Sequence, residues 1–288
     1  MSGIRKAGVV GAGMMGREIA LCFAIAGIET ALKDISLELA EEGLKKADKA
    51  LDNLVKKGLF EAGNKDKVLA LIHPTDSFEL FSDAEIVIEA VFEDLKVKKE
   101  TFAALDEVCP PECLLATNTS SLRVTALARA VSEERRGRFL GTHFFSPVSL
   151  MKLVEVVAGL ETSEEAVAKT LEICRAIGKT PIRVKDVPGF AVNRLLHAMW
   201  IEAERCVEEG VATPEDIDLG CKLGLGHPIG PFALMDHVTN DITLVIQNIL
   251  YEAYGPRFMP RPILKQKVDA GHSGRKTGRG WYDYRDKR

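Results

Sequence analysis

Four short stretches of this chain carry polar side chains that could act together on one small molecule. They are Asn118-Thr119-Ser120-Ser121, His143-Phe144-Phe145-Ser146-Pro147, Lys152-Leu153-Val154-Glu155-Val156 and Gly189-Phe190-Ala191-Val192-Asn193-Arg194. Between them they supply a hydroxyl, an imidazole, a carboxylate and an amide. An imidazole held by a carboxylate can take up a proton near neutral pH, while a hydroxyl and an amide can fix an oxygen in place. Such a set suits an alcohol losing a proton and a hydride together, provided that something nearby accepts the hydride. Taken singly, the same residues have plainer readings: His143 as a hydrogen-bonded core residue, Glu155 as an edge-strand charge, Asn193 as a helix cap. Their joint occurrence at the edges of apolar runs favours the chemical reading.

The hydride acceptor is suggested by Gly11-Ala12-Gly13-Met14-Met15-Gly16. An apolar strand over 5–10 precedes it, a helical pattern runs from Met14 to Ala26, and Gly27 ends that helix. A second strand over 29–32 then leads into Lys33-Asp34. Strand, glycine triplet, helix, strand and acidic residue together form a dinucleotide fingerprint. Gly11 permits the tight turn, Gly13 lets the backbone approach a pyrophosphate, and Gly16 lets the helix pack on the strand. The helix N-terminus offers free N–H groups to the phosphates. Asp34, eighteen positions past Gly16, can accept hydrogen bonds from ribose hydroxyls and would repel a 2′-phosphate. This favours NAD over NADP, with Lys33 the one neighbour that argues the other way.

Stepping outward, further strands are expected at 85–90, 114–117, 138–142, 154–157 and 181–184, with helices over 36–58, near 122–130, and after Thr162-Ser163-Glu164-Glu165, read as a capping box. The lysines of the 36–58 helix (Lys45, Lys46, Lys49, Lys56, Lys57) read as a solvated face. Ligands of open α/β sheets gather at strand C-termini, which turns Asn118, Ser120 and His143 toward the cofactor cleft. At Asp186-Val187-Pro188-Gly189 the alternation stops. Beyond it there is only helical periodicity: a stripe from Val192 through Leu196, Met199 and Ala203 to Val207, a helix start at Thr213-Pro214, and helices over 238–253 and 262–270. The expected fold class is therefore α/β: a Rossmann-type dinucleotide-binding domain over 1–187, followed by an all-α domain over 188–288. Such a block usually supplies a substrate-binding wall and a dimerisation interface, although its apolar stripe could equally be core. Gly274-Arg275-Lys276-Thr277-Gly278-Arg279-Gly280 lacks the spacing of a phosphate loop. The Trp281-Tyr282-Asp283-Tyr284 that follows is too aromatic for a solvated tail, and is expected to fold back.

With 288 residues, 46% hydrophobic and 28% charged, the chain has the composition of a soluble protein with a proper core. Its net charge of −4 argues against nucleic acid as a partner. No apolar run reaches the roughly 18–20 residues that span a bilayer, so no membrane association is expected. Met1 to Lys6 runs straight into a strand-like segment, so no signal peptide is visible and a cytoplasmic location is expected. The six cysteines read as small buried thiols. Cys109-Pro110-Pro111-Glu112-Cys113 has no second Cys or His pair at zinc spacing, so no metal is expected.

In these motifs the chain resembles the short-chain L-3-hydroxyacyl-CoA dehydrogenases, and among them the bacterial 3-hydroxybutyryl-CoA dehydrogenases. The likeness runs from Val9-Val10-Gly11 through Asn118-Thr119-Ser120, His143-Phe144-Phe145, Met151 to Val156 and Pro188 to Arg194, to Gly274 to Tyr284. The resemblance implies NAD as cofactor, a 3-hydroxyacyl thioester of coenzyme A as substrate, and a homodimer built through the helical domain. Matched by motif, it assigns the catalytic histidine to His143, its carboxylate partner to Glu155, the active-site serine to Ser120 and a substrate-binding asparagine to Asn193. It also places Glu93, Lys98 and Lys276 near the cofactor, with Asn118, Ser120 and Ser146 on the same side, and Lys57 against the coenzyme A phosphates. The chain departs from the family pattern twice. Ser146 replaces the usual asparagine of His-Phe-Phe-Asn-Pro, keeping a donor and an acceptor but losing reach. Two extra residues lie between Ser120 and His143, assigned to a surface excursion at Ser132 to Arg136. Two competing readings are a dehydrogenase of free hydroxy or sugar acids, and a non-catalytic NAD-binding protein similar to lens lambda-crystallins.

Overall fold

The structure, a computed structural model, describes residues 3–285. The chain divides into two compact units after Val187, and all six cysteines are free thiols.

In the first unit, strands β1 (Lys6–Val10), β2 (Glu29–Lys33), β3 (Ile72–Thr75), β4 (Ile86–Glu89), β5 (Leu114–Thr117), β6 (Phe139–Phe144), β7 (Leu153–Ala158) and β8 (Thr180–Lys185) form one sheet in the order β3-β2-β1-β4-β5-β6-β7-β8. Its helices are α1 (Met14–Ile25), α2 (Leu37–Lys56), α3 (Lys65–Leu69), α4 (Leu95–Val108), α5 (Val124–Leu127), α6 (Glu133–Arg136) and α7 (Glu164–Ala176). The pairs from β3 to β6 are parallel, as βαβ crossovers require. The central strands β4, β5 and β6 are buried along their whole length, as strands of a parallel sheet covered on both faces are. Ile19, Phe23, Leu32, Leu51, Ile88 and Leu140 anchor a core that runs through the unit.

Three features go beyond the sequence reading. Strand β3 is absent from the expected set, because Ile72-His73-Pro74-Thr75 is short and contains proline. It pairs with β2 alone, and only an edge strand tolerates the missing N–H of Pro74. Strand β7 runs antiparallel to β6, a reversal that apolar content cannot reveal. The Ser132 to Arg136 segment is no loose excursion. It contains the short helix α6, and Arg135 is buried. Its guanidinium pairs with Asp106 at 2.9 Å and donates to the carbonyls of Cys109 and Cys113. A long charged side chain here satisfies the carbonyl groups at the end of α4.

Local capping follows the sequence with one shift. Ser36 and Asp94 cap α2 and α4. Helix α7 is capped by Ser163 rather than Thr162, whose hydroxyl donates to the Phe139 carbonyl.

The second unit holds α8 (Val192–Glu208), α9 (Pro214–Gly224), α10 (Pro231–Val238), α11 (Asn240–Tyr254) and α12 (Pro262–Asp269). Trp200, Phe232, Met235 and Trp281 centre its core. The aromatic tail folds back, as its composition predicts. Asp236 accepts hydrogen bonds from the Trp281 and Tyr282 N–H groups at 2.8 and 3.0 Å and from the Tyr284 hydroxyl at 3.1 Å. Gly280 must be glycine, since a Cβ there would lie 1.9 Å from the Asp236 carboxylate. Among the described residues no helix is long and apolar enough to cross a membrane.

Candidate active site

The glycine loop between β1 and α1 is shaped for an anionic ligand. Gly11 has φ +100°, and a Cβ on it would approach the Ala90 carbonyl to 2.6 Å. A Cβ on Gly16 would overlap the Gly11 carbonyl oxygen at 1.7 Å, so glycine alone lets α1 lie this close to the turn. Gly13 differs. Its φ of −63° suits any residue, and its Cβ would meet no protein atom within 4 Å. Protein packing gives no reason for glycine there, which leaves close approach of a ligand. Helix α1 has no side-chain cap and no acid in its first turn, so its N-terminal N–H groups stay available to phosphate.

A cavity of about 770 Å³ opens beside this loop, a size that suits a nucleotide-sized ligand. Ala12, Met14, Met15, Asp34, Ile35, Phe92 and Val97 are among its lining residues. Asp34 stands at the end of β2 and accepts from the Ala12 N–H at 2.7 Å, so the acid that faces the cavity also braces the glycine loop. The Lys33 ammonium turns back to the Asp34 carbonyl at 3.0 Å and lies 4.4 Å from the centre of the Phe78 ring. Burial pulls its pKa down. Gly43, on α2, is a residue the sequence reading missed. A Cβ there would come within 2.6 Å of Ala12, so the loop is shaped from both sides.

His143 and Glu155 are register partners on the antiparallel pair β6 and β7. Directly opposed residues point to the same face, and this makes a twelve-residue separation a contact. The His143 Nδ1 lies 2.8 Å from Glu155 Oε2, and the His143 Nε2 lies 3.0 Å from Ser120 Oγ. Glu155 is fully buried and His143 nearly so. An ionised carboxylate only accepts, so Nδ1 carries the proton and the lone pair of Nε2 faces the Ser120 hydroxyl. The sequence reading set His143 just past its strand, whereas it lies within β6. Asn118 follows β5, and its side-chain oxygen accepts from the Phe144 N–H at 2.9 Å. Ser146 is exposed in the loop after β6.

Glu93 braces the Ser120 loop. Its Oε1 accepts from the Thr119 hydroxyl at 2.5 Å, from the Ser120 and Ser121 N–H groups at 3.1 and 3.0 Å, and from the Ser121 hydroxyl at 2.8 Å. Burial opposes its ionisation, but Lys98 and these donors outweigh that and hold the carboxyl below its ordinary range. Lys98 is buried, with its ammonium 2.6 Å from Glu89 and 3.2 Å from Glu93. It therefore meets carboxylates rather than open solvent. Glu89, fully buried at the end of β4, was missed by the sequence reading. The signal was present: one charged residue inside the apolar run Ile86-Val87-Ile88-Glu89-Ala90.

Lys57 follows α2 and lines a second cavity, about 310 Å³, with Glu18, Asn53, Pro147, Ser149 and Leu150. Asn193 and Lys276 belong to the second unit. Asn193 is the second residue of α8, whose cap position is Ala191, so it is not a helix cap. Lys276 is exposed in a single turn over Arg275–Thr277. Among the described residues no group of three His, Cys, Asp or Glu side chains could hold a metal ion.

The profile of the 3-hydroxyacyl-CoA dehydrogenase NAD binding domain matches residues 6–187, and that of the 3-hydroxyacyl-CoA dehydrogenase C-terminal domain matches 189–284. A probable 3-hydroxybutyryl-CoA dehydrogenase of Bacillus subtilis is 43% identical over 285 residues, 99% of each chain. The mitochondrial hydroxyacyl-coenzyme A dehydrogenase of Sus scrofa is 40% identical, covering 98% of this chain and 92% of that one. The crystal structure of (S)-3-hydroxybutyryl-CoA dehydrogenase from Ralstonia eutropha is similar with a TM-score of 0.94 at 41% identity, covering 98% of this chain and 99% of that one. Fold and site thus define an NAD-dependent oxidoreductase. Within that class, the chain belongs to the 3-hydroxyacyl-CoA dehydrogenase family.

Proposed function

We propose that this protein interconverts short-chain (S)-3-hydroxyacyl-CoA and 3-ketoacyl-CoA, with 3-hydroxybutyryl-CoA and acetoacetyl-CoA as the preferred pair. The observation that carries the reading is the His143 ring, with Glu155 on one nitrogen and the Ser120 hydroxyl on the other. The Gly11 to Gly16 loop and Asp34 would hold NAD, which would supply a hydride acceptor for oxidation and, reduced, a hydride donor for reduction. The chain's own residues handle the proton. His143 Nε2 accepts it from the C3 hydroxyl, and the Glu155 carboxylate stabilises the imidazolium that results. In reduction the same nitrogen donates it to the ketone. Ser120 Oγ marks the point, 3.0 Å from Nε2, at which a substrate oxygen can share the imidazole. General-base catalysis of this kind contributes roughly 100- to 10,000-fold.

The cofactor roles of the Gly11 to Gly16 loop, Asp34, Glu93, Lys98, Asn118 and Ser146 are part of the same proposal. Lys57 is the proposed contact for a coenzyme A phosphate, supported by its place at the rim of the smaller cavity. Asn193 and Lys276 are proposed as ligands on the strength of their motifs. A homodimer through the second unit, supported by exposed Leu195, Leu219, Leu223 and Leu225, and a cytoplasmic location complete the reading.

The test is NADH oxidation with acetoacetyl-CoA, longer 3-ketoacyl-CoAs and free acetoacetate, repeated with NADPH. Highest kcat/KM on acetoacetyl-CoA with NADH is the expected result. Equal activity on free acetoacetate would instead favour a dehydrogenase of free acids, and NAD binding without turnover a non-catalytic role.

A further inference from the structure

Glu89 has a surplus of strong partners for a residue inside an apolar strand. Its Oε1 accepts from the Lys98 ammonium at 2.6 Å and from the Val91 N–H at 2.7 Å, and its Oε2 accepts from the Thr117 hydroxyl at 2.7 Å. Its neighbours on β4, Val87 and Ile88, are equally buried and need no such set. Stability is a poor reason for the charge. Replacing a buried ion pair by well-packed apolar residues is often neutral or stabilising by about 1–4 kcal/mol.

The donors that Glu89 holds converge on one loop. By the first route, Lys98 reaches Glu93 at 3.2 Å, and Glu93 accepts from the Ser120 and Ser121 N–H groups and the Thr119 hydroxyl. By the second, Thr117 Oγ1 accepts from the Thr119 N–H at 3.3 Å. The Asn118 N–H adds a bond to the Glu89 backbone carbonyl at 2.8 Å. Both routes end within one residue of Ser120, whose Oγ meets His143.

We propose that Glu89 is a positioning residue for Ser120, acting through Lys98–Glu93 and through Thr117–Thr119 rather than touching substrate or cofactor. The inference rests on the reading of Ser120 as part of the reactive site. A buried network of this kind fixes geometry because every member loses a partner if one shifts, and displacement of a reactive group by about 1 Å can lower the rate on the order of 100-fold.

The test is a double-mutant cycle between Glu89→Gln and Ser120→Ala, read as kcat/KM for acetoacetyl-CoA. NADH affinity and the urea midpoint are measured on each variant. Glutamine keeps the shape and an acceptor oxygen but removes the charge that holds Lys98. Glu89→Gln is expected to lower kcat/KM on the order of 10- to 100-fold in the parent, and less than about twofold when Ser120 is already alanine, because residues that act as a unit are non-additive. Equal losses in both backgrounds would overturn the proposal, since a general structural defect multiplies with the serine's effect. No loss in either background overturns it too. Should Glu89→Gln fail to fold, Glu89→Gln with Lys98→Gln removes both charges and enters the same cycle, with the same deciding results. Wild-type kcat/KM in Ser120→Ala alone would instead show that the reading of Ser120 is wrong, and the inference would fall with it.

Discussion

His143 is the residue on which the chemistry turns, and its two nitrogens are distinguished by what faces them. Glu155 at 2.8 Å accepts a hydrogen bond from Nδ1–H, so Nε2 is the basic atom toward Ser120. This makes Glu155 a determinant of tautomer as well as of charge. Glu155→Gln keeps the size but can offer an N–H to Nδ1, which would place the proton on Nε2. The expected outcome is a fall in kcat for 3-hydroxybutyryl-CoA oxidation, the direction in which Nε2 must accept the proton, of about 10³- to 10⁴-fold, by analogy with the wrong-tautomer effect in serine proteases, with NADH affinity unchanged within about twofold. Steady-state kinetics with a fluorescence titration of NADH checks both. The types of these residues are legible in the sequence, because a histidine, a glutamate and a serine stand at the edges of apolar runs. Their pairing is not, since it depends on an antiparallel register that sets residues twelve apart opposite each other. Glu89 escaped notice for the opposite reason: a charge in a central strand reads as an exception until its partners are seen.

Among the elements, α8 carries an ionisable residue whose burial has a measurable consequence. Glu204 lies fully buried on its inner face, 3.3 Å from Gln247 on α11. Its Oε2 and the Gln247 Oε1 have no hydrogen-bond partner among the described residues. Burial raises its pKa to about 8. A folded-state pKa above the unfolded one means stability that is fully present below the unfolded value and lost as pH rises toward the folded one. His197, on the same helix, has its pKa lowered by burial to about 4, but it titrates alike in the variant and the wild type and so cancels from their difference. Glu204→Gln should therefore gain stability over the wild type as pH rises from 6.5 to 8, by about 1.4 kcal/mol per pH unit, and no further above that. Urea midpoints across this range measure it, and a constant difference would show that Glu204 is ionised in the folded state. The other elements show where sequence reading succeeds. The glycine loop, the central strands and α8 announce themselves through strong periodicity. Edge strand β3 does not, because Pro74 argues against a strand unless its edge position is known. Nor does α6 reveal its anchoring role, since Ser-Glu-Glu-Arg-Arg is polar throughout and only the fold buries Arg135.

For the molecule as a whole, each unit has its own apolar core, and the second leaves large apolar side chains in solvent. Leu219 and Leu223 lie four residues apart on α9, with Leu225 directly after it, and α11 adds Ile242 and Val245. Exposed leucines one turn apart on α9 suit a protein interface better than a free surface. Sedimentation equilibrium should give twice the 31.5 kDa chain mass, and Leu223→Lys with Leu225→Lys should shift the equilibrium toward monomer. A wild-type chain that is monomeric at micromolar concentration would remove the proposed dimer. The account as a whole stands on proton transfer at the imidazole, and the most direct measurement is kcat of acetoacetyl-CoA reduction by His143→Gln with NADH affinity measured alongside. A loss of about 100- to 10,000-fold with NADH binding retained is the result expected. Wild-type turnover by that variant would contradict the assignment outright.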